Sequence, residues 1–135
     1  MDRRFCALCN RPSQGGRREI IESRARKHSP RNDAERDAYA AVYAYEEVKS
    51  TTRRRFRANR TWQAIERHGI VQEVERLVTR ATETEGYRAL VVAGLEEMAF
   101  EAVILRHPEV FSTEAIAAAR ERMARLHASG VNKVQ

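Results

Sequence analysis

The sequence predicts an all-α protein: a bundle of about five helices with a short irregular N-terminal head that carries two cysteines. Three observations lead there. Apolar residues recur at spacings of three and four along most of the chain, the period of a helix packed on one side. Glycine and proline together occupy only nine of the 135 positions. No segment alternates as a strand does; Val91-Val92 and Val103-Ile104 are β-branched, but the period around them is helical. There is no internal repeat of the length that marks a solenoid. The length suits one domain, so residues 1–16 read as a head, 17–128 as a single helical domain and 129–135 as a frayed tail.

The head ends in Arg11-Pro12-Ser13-Gln14-Gly15-Gly16, a turn composition. A short helix follows from Arg17 to Lys27, with Ile20, Ile21 and Ala25 as its apolar face, and Ser29-Pro30 stops it. Asn32 or Asp33 caps the next helix, whose first turn is acidic. Ala34, Ala38, Ala41, Tyr45 and Val48 then recur at an a/d-like spacing, widened by Tyr39, Val42 and Tyr43. The seam fades at Ser50-Thr51-Thr52, where the helix either breaks or runs on as a rod.

Residues 53–68 read as a further helix burying Ala58, Trp62 and Ile65, closed by Gly69. A short helix with Ile70, Val71, Val74, Leu77 and Val78 inward runs to Thr82. Thr84 or Glu85 opens the most apolar helix, spanning 86–107. Val91, Leu95, Met98, Ala102 and Leu105 form one stripe, and Leu90, Ala93, Phe100, Val103 and Ile104 extend it. A helix apolar on most sides is expected at the centre of a bundle. Pro108 ends it. Ser112 caps the last helix, with Ile116, Ala119, Met123 and Leu126 as its seam, and Gly130 closes it.

The 25 Lys+Arg against 19 Asp+Glu give a net charge of +6. The charge is segregated: residues 1–31 carry +6, 32–50 carry −3, 51–68 carry +5 and 69–135 carry −2. Arginine supplies 22 of the basic residues and lysine only 3. Its planar fork suits phosphate and carboxylate, though a GC-rich genome also favours arginine codons. The apolar fraction of 42% excludes a wholly disordered chain. No apolar stretch follows the N-terminal arginines, and Glu96, Glu97 and Glu101 interrupt the most apolar run, so neither a signal peptide nor a membrane span is expected. Two cysteines without a secretory signal point to a reducing cytoplasm.

Cys6 and Cys9 stand at a spacing at which two thiolates grip one zinc from a tight turn. Cys6-Ala7-Leu8-Cys9-Asn10-Arg11-Pro12 resembles the zinc knuckle of treble-clef and ribbon modules. Such a module implies a second pair of ligands. With no third cysteine, His28 is the nearby candidate, and the alternative is a four-cysteine site shared by two chains, as in the zinc hook of DNA-repair coiled coils. A pair of reduced thiols, with Cys6 beside Phe5 and Leu8, is the competing reading, and a redox role is a third. The knuckle also suggests a metal-dependent nuclease of the His-Asn-His type, for which only His28 and Asn32 are at hand.

The second signal is basic. Placed on a helix, Arg53, Arg57 and Arg60 align with Arg54 beside them, and Arg55 completes the cluster. Such a strip tracks a phosphate backbone and releases counterions as it binds. Phe56 and Trp62 interleave with it as rings for base stacking, Trp62 sharing the apolar face. Arg17, Arg18, Arg24, Arg26 and Lys27 extend the surface if the two helices lie side by side. Pairing of the strip with Glu46, Glu47 or Glu66 is the alternative.

Other constellations fall short. A helix-turn-helix over 61–80 would place His68 and Glu75 where apolar residues belong. Glu97 and Glu101 share a face of the expected helix but lack the histidine partners of a di-iron site. No phosphate-binding glycine loop or nucleophile elbow occurs. The expectation is therefore a non-enzymatic protein that binds DNA or RNA through two arginine-rich segments, with any zinc structural. The alternative is an interaction module, pairing through the seam Ala34, Ala38, Ala41, Tyr45 and Val48 with a second copy or an acidic protein.

Overall fold

The computed structural model describes residues 14–50, 53–80 and 85–128. They form seven α-helices: α1 Gln14–Arg26, α2 Asp33–Lys49, α3 Asn59–His68, α4 Ile70–Arg80, α5 Glu85–Ala93, α6 Phe100–Arg106 and α7 Thr113–Ala128, with a 3-10 turn at Glu96–Met98. There is no strand among them. The all-helical expectation holds, with seven helices instead of about five. Cys6, Cys9, Thr51, Thr52, Thr82, Thr84 and Gly130 lie outside the described residues. No helix among those described is long and apolar enough to cross a membrane.

Local signals explain most boundaries. Asn32 caps α2, its side chain accepting from the Glu35 N–H at 2.9 Å, and Glu35 reaches back to the Arg31 N–H at 2.9 Å. Ser112 caps α7 by accepting from the Ala115 N–H at 3.1 Å. Gly69 closes α3 in the left-handed region at φ 92°, donating to Ile65 O at 2.7 Å, and α4 begins at the next residue. The helix α1 starts at Gln14, so 14–16 are helical and not part of an irregular head. Ile21 and Ala25 are buried, but Ile20 of the expected face is exposed.

Two expected helices are shorter than the periodicity implies. Residues 86–107 do not form one helix. Gly94 turns at φ 78° and donates to Val91 O at 3.1 Å, while Leu95 donates to Leu90 O at 2.8 Å. That pair of bonds is a Schellman motif, which terminates α5 and hands the chain to the 3-10 turn and then α6. Glu97 and Glu101 accordingly fall on different elements and do not share a helix face. Glu97 pairs with Arg18, whereas Glu101 is buried and bonded to Arg122 of α7 at 2.8 Å. Residues 53–58 are likewise non-helical, so Arg53, Arg57 and Arg60 do not align on one helix.

The central element is α2, not the apolar 86–107 segment. Its small side chains let helices approach from both sides. Ala38, Ala41 and Val42 join Ile65, Ile70, Val74, Val78, Val103, Ile104, Phe111 and Ala115 in one core cluster. Ala40 and Ala44 join Ile21, Ala25, Tyr87, Leu90, Leu95 and Met98 in a second. Ala34, Ala38 and Ala41 of the supposed pairing seam are thus consumed inside this chain. Tyr45 and Val48 are half-buried, Tyr45 against the Phe56 ring and Val48 against the second cluster.

Candidate nucleic-acid interface

The C-terminal end of α2 organises the arginine-rich segment. The helix stops at Ser50, whose backbone turns extended at ψ 145°. The Ser50 hydroxyl donates to Glu46 O at 2.8 Å and accepts from the Phe56 N–H at 2.9 Å. The Ala58 N–H and the Trp62 indole N–H both donate to Glu46 Oε2, at 2.8 and 2.7 Å. The backbone N–H groups of Phe56 and Ala58 therefore find side-chain acceptors instead of helical carbonyls. Crowding like charges at i and i+4 also disfavours a helix at Arg53 and Arg57. These effects explain the extended conformation, and they anchor it firmly between α2 and α3.

The two basic blocks meet on one carboxylate. Arg24 of α1 lies 3.7 Å from Glu47 Oε1, and Arg55 lies 3.5 Å from the same oxygen. Arg57 stands 3.8 Å from Glu46. Arg53, Arg54 and Arg60 are exposed. Lys49 adds a charge over the Phe56 ring, 5.5 Å from its centroid. Arg26 and Lys27 are exposed at the end of α1. Arg18 is used elsewhere: it pairs with Glu97 and donates to the Gly94 carbonyl at 2.9 Å, holding the α5 terminus. Arg17 lines a separate groove with Val48, Arg88 and Val92.

An aromatic cluster adjoins the arginines. The His28 ring lies 4.3 Å from Tyr39 and 5.1 Å from Trp62, centroid to centroid, with interplanar angles of 4° and 9°. Tyr43 tilts against Trp62 at 4.9 Å, and its hydroxyl is 2.8 Å from His28 Nε2. Packing between these rings desolvates the imidazole and lowers its pKa below the ordinary 6.5, although the residue as a whole stays exposed. His28, the expected third zinc ligand, thus has one nitrogen engaged by Tyr43. Among the described residues no group of three side chains is placed to hold a metal ion.

The arginines stand out in the sequence, but what orders them does not. By spacing alone Glu46 and Glu47 are ion-pair partners that compete for the strip, and Tyr39 and Tyr43 only widen the α2 seam. Tyr39 and Tyr43 stand four residues apart on α2, which puts their rings on one face, and that spacing was the available signal.

Fold and surface together define an all-helical bundle with an extended arginine segment held at the end of its central helix. No protein-family model matches the chain, and neither a curated protein nor a solved structure does.

Proposed function

We propose that this protein is a non-enzymatic nucleic-acid-binding protein that grips the phosphate backbone through Arg53, Arg54, Arg55, Arg57 and Arg60, with Arg24 alongside. One observation carries the reading: α1 and the extended segment, distant in sequence, bring Arg24 and Arg55 to the same oxygen of Glu47. A basic surface assembled from two elements and fixed by hydrogen bonds is a suitable partner for a polyanion. Arg18, committed to Gly94 and Glu97, is left out of the interface.

Binding to DNA or RNA should weaken as salt rises, with log affinity linear in log salt. Arg53→Gln and Arg60→Gln should each reduce the magnitude of that slope by about 1, one phosphate contact apiece. Arg18→Gln should leave the slope unchanged and lower stability instead. Absence of binding to either nucleic acid at low salt overturns the proposal.

A further inference from the structure

Two grooves meet at Asn59. One, of about 350 Å³, runs along Phe56, Arg57, Asn59 and Arg60. The other, of about 360 Å³, is walled by the His28, Tyr39 and Trp62 rings and edged by Asn59, Gln63 and Glu66. The first groove is cationic and the second aromatic, and Asn59 belongs to both.

The aromatic groove has the make-up of a base platform. Its three rings are nearly parallel: His28 stacks on both Tyr39 and Trp62 and is itself exposed, which makes it the ring a further planar group would meet. The Trp62 indole N–H is tied to Glu46 at 2.7 Å, so the ring is held in place without occupying the groove's polar edge. Asn59 and Gln63 are exposed four residues apart on α3, within the same groove, and each amide offers both donors and acceptors to a base edge. Glu66, one turn beyond Gln63 on α3, lines the same groove with a negative charge that repels phosphate. A backbone therefore runs along the Arg57 and Arg60 side, and what extends past Asn59 is uncharged, planar and able to hydrogen-bond.

We propose that this groove stacks one unpaired base, so that the ligand is single-stranded nucleic acid. The inference rests on the phosphate-binding reading above and narrows it. In a duplex the base faces are already covered by their neighbours, and no ring of a compact helical surface reaches them without unstacking.

Trp62 is the only tryptophan in the chain, so its emission reports on the groove directly. The intact protein is titrated with oligo(dT), with oligo(U) and with a blunt DNA duplex of equal phosphate number, at one fixed low salt concentration. Oligo(dT) or oligo(U) should bind and quench Trp62, the tighter of the two identifying the natural sugar. The duplex should bind more weakly and leave the emission unchanged. His28→Ala should weaken single-strand binding about tenfold and leave duplex binding as it was, because base–aromatic stacking is worth about that much; His28 is exposed, so its removal takes no side chain out of the buried core, and an unchanged thermal unfolding midpoint checks that the fold is intact. Equal binding of duplex and single strands with unchanged emission overturns the stacking inference and leaves phosphate binding standing. Failure of all three ligands to bind overturns both.

Discussion

The Glu46 side chain lies in the interior, with the residue only 3% exposed, yet it accepts from a backbone N–H and from an indole N–H on a different element. Its charge is compensated by these bonds and by Arg57 at 3.8 Å. Replacing it removes the single oxygen that accepts both bonds and leaves two donors without that partner. Glu46→Ala should therefore cost about 2–4 kcal/mol, read from urea unfolding followed by tryptophan emission. Glu46→Gln, which keeps an amide oxygen, should cost less. A loss below about 0.5 kcal/mol for the alanine variant would contradict the anchoring role. None of this was legible in the sequence. A glutamate late in an amphipathic helix looks like a solvated residue, and only the return of the chain at Ala58 and Trp62 turns it into a buried acceptor.

At the scale of elements, the caps and the weakening of α2 at Ser50 were legible, but the break at Gly94 and the extended stretch after α2 were not. Asn32, Gly69 and Ser112 act as their residue types imply, because capping is a short-range effect confined to one turn. The break at Gly94 escaped the periodicity because apolar residues continue on both sides of it: Leu90 and Leu95 flank the turn and are both buried. The glycine itself was the usable signal. Gly94→Ala forces a side chain into the left-handed region and should destabilise the protein by about 1–2 kcal/mol in thermal or chemical unfolding. Unchanged stability would mean that the α5 terminus does not depend on that conformation. The extended stretch at 53–58 escaped for a different reason. Helical numbering aligned its arginines, but the acceptors that hold it open, Glu46 and Ser50, lie on the preceding helix and on its C-cap.

Over the whole molecule, the class of fold followed from helical spacing alone, whereas the identity of the central helix did not. Mean apolarity pointed to 86–107, but close packing on two sides selects small residues, and α2 supplies Ala38, Ala40, Ala41 and Ala44. Distant parts are also closed electrostatically. Asp37 on α2 accepts from His107 Nε2 at 2.9 Å and from Arg106 at 3.3 Å, across the end of α6, and Arg36 lies beside it. Desolvation raises the Asp37 pKa, but the His107 bond, the Arg106 charge and the bonds from Arg106 and Arg36 outweigh it, leaving the carboxyl below its ordinary 3.8. A depressed carboxyl stabilises the fold fully above the unfolded value and loses that contribution as pH falls through the folded value. The stability advantage of the wild type over Asp37→Asn should therefore be constant above pH 3.8 and shrink below it. An advantage undiminished at about pH 2 would exclude this linkage.

Glu47 gives the proposed complex an unusual starting point. Arg24 and Arg55 already rest on an anion, so an incoming phosphate displaces a carboxylate instead of filling a vacant seat. The guanidinium groups are narrowed in orientation before the encounter, which lessens the entropy lost on contact. When the phosphate leaves, the carboxylate stands ready to take its place. In the proposed complex, association would then be an exchange between two anions, one of them carried by the same helix that holds the fold together.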